Sequence, residues 1–438
     1  MSRIGSAFVL AITLLVAPAN ASAQDVQAET DLVVRWPDPV LQWNAVMLST
    51  VGGKNAVEQQ RIAAIAQLAV FEAVNAITRR YEPYLDSIVA TPNASAESAA
   101  VAAAHAVLMQ YVPGQAATLD AARASSLARI PEGPSKDAGI VIGQAAAKAM
   151  IDQRMNDGSQ TPEFHVPPSM APGEWQLTSS CPPQGGPFLH LRNVAPFGIE
   201  RSDQFRADPP PALTSRRYAR DLNEVKAVGA LESPNRPADR ADVARFYAAV
   251  LALPAWNSAA QQVAVSQKRS LEENARAFAL LNMALVDALI SVFETKYHET
   301  FWRSETAIQA ADVDDNPRTD PDPAFKPFVT TPCHPSYPSA HASLGHAARK
   351  TLERLYGKGP HAIELASPAV PDVRLQYRSF EEITHDIDDA RIYGGIHFRF
   401  DQQAGGKQGR HVTSYILRHH LRPARHDQHG TGATDIAR

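Results

Sequence analysis

The chain has 438 residues, with 42 Lys and Arg against 46 Asp and Glu, 45% hydrophobic residues and 20% charged ones. This is ordinary globular composition, which excludes wholesale disorder, and a formal net charge of −4 excludes a strongly basic nucleic-acid binder. Two cysteines exclude a disulfide-rich scaffold and a thiolate zinc cluster, while 33 prolines require long connections between regular elements.

Residues 1–23 open the chain with Arg3, an apolar run from Ala7 to Ala17, then Pro18 and small residues ending in Ala21-Ser22-Ala23. That is the layout of a secretory signal. The run is shorter than the roughly 20 residues a span needs, so cleavage is expected, with a periplasmic or secreted mature chain. Of the later stretches, Ala275–Phe293 comes closest to a membrane span, but it carries Asn282 and Asp287 and reads as a buried helix. In an oxidising compartment Cys181 and Cys333 can form a disulfide, although two free buried thiols fit the sequence as well.

Residues 24–45 read as an extended lead-in. A helix follows from about Asn55 to Arg80, where Ile62, Ile65, Ala66, Ala69, Val70, Val74 and Ile77 recur at helical spacing. Alanine-rich helices are expected near 95–112, 115–129 and 136–156. Residues 158–213, rich in Pro, Gly and Ser, lack periodicity, and a loop of that length is usually a lid, an arm or a packing strap. Helical patterns resume near 215–231, 238–252, 255–268 and 271–300. A proline-rich loop spans 311–338, and further helices run from Ser339 to Tyr356, near 380–391 and near 397–420. No alternating run is long enough for a sheet, and no repeat of fixed period is present. The expectation is an all-α helical assembly with long proline-rich loops. It divides into an N-terminal helical region over 24–270, a catalytic helical region over 271–423 and a polar tail over 424–438.

Three segments in the catalytic region carry chemistry. In Lys296-Tyr-His-Glu-Thr-Phe-Trp-Arg303, residues seven apart lie about 20° off one helical face and roughly 10.5 Å apart along the axis, so both side chains can reach one anion. A solvated charged face paired with Glu294 and Glu299 is the plain alternative. In Thr331-Pro-Cys-His-Pro-Ser-Tyr-Pro-Ser339-Ala340-His341, Ser339 is placed to cap a helix whose first-turn N–H groups attract an anion, with His341 beside it as proton carrier. An ordinary capped helix with a surface histidine would look the same. In Arg391-Ile-Tyr-Gly-Gly-Ile-His397-Phe-Arg-Phe-Asp401, the glycines break the chain between Arg391 and His397. His397 and Asp401 then lie four apart on one face, so a carboxylate can hold the imidazole N–H and free the other nitrogen as nucleophile or ligand. The plain alternative there is a helix-end histidine and a surface aspartate. Together, two arginines, a lysine, a capped helix start and two histidines describe a site for a tetrahedral oxyanion.

These segments resemble the motifs K-x6-R-P, P-S-G-H and S-R-x5-H-x3-D of the superfamily that joins type 2 phosphatidic acid phosphatases (PAP2) to vanadium-dependent haloperoxidases. The match covers residues 296–401. Trp43-Asn44 and Ala69–Ile77 are similar in style to the soluble bacterial haloperoxidase-like branch. The resemblance implies the helical-bundle fold of that superfamily, with Lys296, Arg303 and Arg391 on the oxygens of vanadate or phosphate and Ser339 and the Ala340 N–H as further donors. It implies His397 as axial vanadium ligand or phosphoryl-accepting nucleophile, and His341 as the acid–base residue. His334 occupies a loop position linked to halide preference, where histidine resembles the bromoperoxidase pattern; a surface loop histidine is the alternative. Three departures stand out: Ser304 for proline, Ala340 for glycine and Ala390 for serine.

The leading expectation is a vanadate-dependent haloperoxidase that uses hydrogen peroxide to oxidise halide, bromide before chloride, and halogenates a small organic acceptor. An exported acid phosphatase with a phosphohistidine intermediate and no metal is the alternative, and an inactive oxyanion-binding homologue the third. Nucleic acid and a membrane span after signal removal are not expected, and a homodimer is compatible with the sequence.

Overall fold

The computed structural model describes residue 36 and residues 38–424. The signal segment at 1–23 and residues 425–438 of the tail lie outside the described residues. Among those described, thirteen α-helices and one short hairpin form the regular structure.

The N-terminal half holds α1 (Pro39–Val51), α2 (Ala56–Thr78), α3 (Ala96–Tyr111), α4 (Ala116–Ala128) and α5 (Pro134–Arg154). Of the extended lead-in expected over 24–45, residues 24–35 and 37 lie outside the described residues, and the first of these helices corrects it over 39–45. Asp38 accepts from the Leu41 N–H and Pro39 occupies the first helical position, a start signal that the missing amphipathic stripe concealed. The stripe is missing because α1 is buried almost all round. Its Trp43 donates to Ser126 Oγ at 3.2 Å, and Asn44 bridges Gln261 and Gln67 at 3.0 and 3.1 Å. Helices α2, α3 and α5 pack on one another. At Gly143 of α5 a Cβ would meet the Ala99 carbonyl at 2.3 Å, so this close approach needs glycine.

The chain then runs through α6 (Arg216–Val228), α7 (Ala238–Ala249) and α8 (Ala252–Ser266) to the long α9 (Leu271–Glu299). A capping box of Ser270 and Glu273 starts α9. The helix packs on α2 on one side and on α11 (Ala340–Tyr356) and α13 (Arg399–His419) on the other. Both α2 and α9 are long and apolar enough to cross a membrane, but 78% and 100% of their most apolar stretches are buried inside the fold, as core helices are. The polar residues of the expected buried helix are all satisfied. Asn282 pairs reciprocally with Asn257, and Asp287 accepts the N–H groups of Phe197, Gly198 and Ile199 at 2.7–2.9 Å.

Short α10 (Ser304–Gln309) and α12 (Phe380–Tyr393), which packs on α7 and α11, complete the helices. A two-stranded antiparallel hairpin, β1 (Ile363–Ala366) and β2 (Arg374–Tyr377), pairs Ile363 with Tyr377. It is the one pairing in an otherwise helical set of named elements, formed although no alternating run is long enough to announce a sheet; four residues per strand are too few for alternation to register. The 158–213 loop straps the two halves together. It pairs Glu174 with Phe301, joins Cys181 to Cys333 by a disulfide and tucks Phe197–Ile199 onto Asp287. The question left open for the two cysteines is thus resolved as a bond.

Candidate active site

Lys296 lies in the last turn of α9, which ends at Glu299 because Thr300 turns left-handed at φ 45°. Arg303 lies beyond that turn and precedes α10. The pair therefore does not share one helical face, as the seven-residue spacing suggested; the helix ends between them, and both side chains reach main-chain carbonyls of residues 334–336. Both are fully buried. Lys296 Nζ donates to the carbonyls of Pro335 and Ser336 at 2.8 and 2.7 Å. Ser304, in place of proline, donates its hydroxyl to the Gly395 carbonyl at 2.8 Å and so links the first segment to the third.

The second segment delivers Ser339 as the cap of α11, its Oγ accepting from the Ala342 N–H at 3.4 Å and its own N–H donating to the Asp401 carbonyl at 3.0 Å. Ala340 is the first residue of α11, and its methyl fits because the backbone there is helical. His341 follows in the first turn, half-buried, near the main chain of Tyr247 at the end of α7. Arg391 NH1 donates to the Tyr247 carbonyl at 3.1 Å.

The third segment places Arg391 in the last turn of α12, and Gly394-Gly395 turns the chain. Gly395 has φ +81°, and a Cβ there would lie 2.2 Å from the Gly229 carbonyl. Ala390, where the motif has serine, is a buried residue of α12. His397 lies before α13, so it and Asp401 do not share a helical face as expected. Asp401 sits in the first turn and reaches back past the Phe398 N–H, which donates to it at 3.2 Å, to His397 Nδ1 at 2.7 Å. Ser336 Oγ donates to the same carboxylate oxygen at 2.6 Å. With Nδ1 holding the proton, Nε2 carries the lone pair, and Arg303 NH1 donates to it at 3.0 Å.

Arg303 holds the site's centre by a fan of donors: Nε to the His334 carbonyl at 2.7 Å, NH2 to His334 Nδ1 at 3.0 Å, and NH1 also to the Ile396 carbonyl at 3.0 Å. The His334 ring lies 5.0 Å from that of Phe293, and its neighbour Cys333 is fixed by the disulfide. His334, Ala340, His341, Arg391 and His397 line one cavity of about 370 Å³. Next to that lining lie Lys296, Ser339, Arg303, which bonds His334 and His397, and Asp401, which accepts from His397.

Burial, then repulsion from Arg303, holds the Lys296 ammonium well below its ordinary value. Burial brings Arg303 down to about 9 and Arg391 to about 10, so both stay charged at neutral pH. His334, His341 and His397 are held well below 6.5, first by burial and then by the three cations. Burial raises Asp401 to about 6, against the pull of Ser336, Lys296 and the Phe398 N–H. No carboxylate among the described residues lies within ion-pair distance of Lys296, Arg303 or Arg391, and Arg391 Nε is buried with no hydrogen-bond partner. Buried charge without a counter-charge is costly. An oxyanion carrying more than one negative charge supplies what this cradle lacks, and the donor set fits one.

Sequence reasoning missed Ser336, although it lies inside the second segment, because its role depends on where Asp401 comes to rest. It also missed Tyr247, which acts through a main-chain carbonyl and leaves no side-chain signal.

The family described as VCPO second helical-bundle domain matches residues 276–426. A search of the curated proteins found no match. Among solved structures, a bacterial vanadium-dependent iodoperoxidase is similar at TM-score 0.73 and 23% identity over 94% of this chain and 100% of that one. The holo form of a bacterial vanadium-dependent chloroperoxidase is similar at TM-score 0.67 and 17% identity, over 83% of this chain and 91% of that one. Its apo form is similar at TM-score 0.66 and 16% identity, over 83% and 95%. Residues 276–426 thus match the VCPO second helical-bundle domain, and the chain shares the fold of the bacterial vanadium haloperoxidases.

Proposed function

We propose that the protein is a vanadate-dependent haloperoxidase acting on hydrogen peroxide, a halide and an organic acceptor. One observation carries this reading: three buried cations without carboxylate partners surround a histidine whose Nε2 lone pair is fixed by Asp401 on the opposite nitrogen. Lys296, Arg303, Arg391 and the start of α11 would hold the oxygens of vanadate, and His397 Nε2 would be its protein ligand. When bound, vanadate supplies a Lewis acid that polarises peroxide. His341, neutral at working pH and open to the cavity, accepts the proton that peroxide gives up on binding and returns it to the departing water. Overall, peroxide, halide and a proton yield a hypohalous acid equivalent and water. His334 faces the same cavity with its Nδ1 held by Arg303, and the proposal of bromide ahead of chloride rests on the resemblance of a histidine at this position to the bromoperoxidase pattern. The iodoperoxidase among the similar structures makes iodide the natural comparison. The disulfide supports an oxidising compartment, in keeping with export.

The test is purified protein loaded with orthovanadate and supplied with peroxide, bromide and an activated phenol. Halogenated product is expected, and His397→Ala with unchanged helical content is expected to lower the rate at least roughly a hundredfold. Phosphate-ester hydrolysis that vanadate inhibits, without halogenation, would replace this reading with the phosphatase one. Oxyanion binding without either turnover would leave only the binding homologue.

A further inference from the structure

A second cavity, of about 440 Å³, shares no lining residue with the one over His397. It lies where the start of α9 meets the ends of α11 and α13. The chain as a whole is acidic, yet five arginines line this cavity against one carboxylate: Arg269, Arg276, Arg354, Arg418 and Arg422 against Glu273.

The acidic groups around it are already engaged. Glu273 accepts from the Ser270 N–H at 3.1 Å and from Arg269 NH1 at 3.3 Å. Glu82 holds Arg422 through both oxygens at 2.7 and 2.9 Å, and Glu272 lies 3.9 Å from Arg80. Arg276, Arg354 and Arg418 come from three different helices, and none meets a carboxylate at ion-pair range among the described residues. Arg276 is half-buried and fixed in place: its Nε donates to the Leu421 carbonyl at 2.6 Å, and its guanidinium lies over the Tyr81 ring at 4.9 Å. Burial holds it below its ordinary value, and Arg354 repels it. Arg354 and Arg418 are exposed and donate to no group among the described residues.

Helix capping does not account for all of this charge. Cations gather at helix C-termini because each end offers about half a negative charge. The ends of α11 and α13 therefore offset about one of the three unanswered positive charges and leave about two. A guanidinium fork matches the oxygens of a phosphate group. Two linked phosphates carry more than two negative charges at neutral pH, and the cavity has room for both.

We propose that this cavity is a second anion site, for a diphosphate group, free or carried by an organic body, that bridges Arg276, Arg354 and Arg418. The site stands apart from the cradle around His397, and it does not rest on the haloperoxidase reading.

The experiment maps phenylglyoxal modification of the wild-type protein by mass spectrometry, with pyrophosphate as the probe. Pyrophosphate at up to about 5 mM should slow modification of Arg354 and Arg418 roughly tenfold or more and leave Arg216, exposed at the start of α6, within about twofold. Orthophosphate at the same ionic strength should protect them far less. Absence of protection, equal protection of Arg216, or equal protection by orthophosphate overturns the proposal. Adenosine diphosphate separates the two sources: stronger protection by it than by pyrophosphate assigns an organic diphosphate, and weaker protection a free one. Thermal unfolding keeps the two anion sites apart. Pyrophosphate should still raise the melting temperature of Arg391→Met, and adding Arg354→Met and Arg418→Met should abolish that rise. A rise that persists in the triple variant, or none in Arg391→Met, overturns the second site; the wild-type mapping decides the matter whether or not the variants fold.

Discussion

Arg61 and Arg154, buried in the N-terminal half, share Asp157, at 2.8 Å from Arg61 Nε and 3.2 Å from Arg154 NH2. Arg154 also donates to the Pro196 and Ala195 carbonyls, and its guanidinium covers the Phe197 ring at 3.7 Å. Arg303 and Arg391 in the C-terminal half are as deeply buried, and neither they nor Lys296 meets a carboxylate at that range. The same residue type thus serves opposite ends. In the first region each charge is answered by the chain itself, and the cluster fastens α2 and α5 to the strap. In the second the chain leaves positive charge unanswered and holds it in place with main-chain carbonyls and imidazole nitrogens, which fix position without neutralising. Buried charge that the fold answers marks structure; buried charge that the fold leaves open marks a place for a guest.

The largest expected effect tests the closed side of that contrast. Asp157→Asn should destabilise the protein by about 3–5 kcal/mol in chemical unfolding, because it strands two buried guanidiniums. A loss under about 1 kcal/mol would mean that the carbonyl and ring contacts alone suffice.

The open side should behave in the reverse sense. Orthophosphate at a hundred times its dissociation constant should stabilise the wild-type protein by about 2.7 kcal/mol. Arg391→Met should abolish most of that gain while leaving the anion-free protein at least as stable as the wild type, since the variant removes an unpaired buried charge. A large destabilisation of anion-free Arg391→Met, with the phosphate gain retained, would place Arg391 with Arg154 as a structural residue.

The smallest effect sharpens the electrostatics. In NMR titrations of the anion-free protein, His341 and His397 should stay neutral until well below pH 6.5, and orthophosphate should raise both by adding negative charge beside them. Their folded values lie below the unfolded one, so the stability contributed by the neutral imidazoles is full above pH 6.5 and is lost as the pH falls below it toward the folded values. A titration of either histidine at or above 6.5 without phosphate would contradict a cation-lined site.

Much of the helical layout could be read along the chain, because α2, α3, α5, α9 and α13 are long and either periodic or alanine-rich. The elements that escaped are those whose local signal is weak for a physical reason. Helix α1 is buried on nearly every side, polar Gln42, Asn44 and Thr50 included, and the hairpin strands are too short to alternate. At the site, residue identities were legible because Lys296, Arg303, Ser339, Arg391 and His397 stand at fixed short intervals. Their geometry was not, because helical spacing assumes a continuous helix, whereas α9 ends at Glu299 and α13 begins only at Arg399.

By itself, then, the sequence determined the chemical inventory: which cations, which histidines, and which carboxylate could steady an imidazole. Only the tertiary structure decided that these segments meet, that Cys181 reaches Cys333, and that Gln60 and Phe188, more than a hundred residues away from the motifs, close over them. Interval motifs report what a few neighbouring residues can do. A cavity is enclosed by surfaces from the whole chain, and the forces that bring those surfaces together are non-directional burial and packing, which leave no short-range pattern to read.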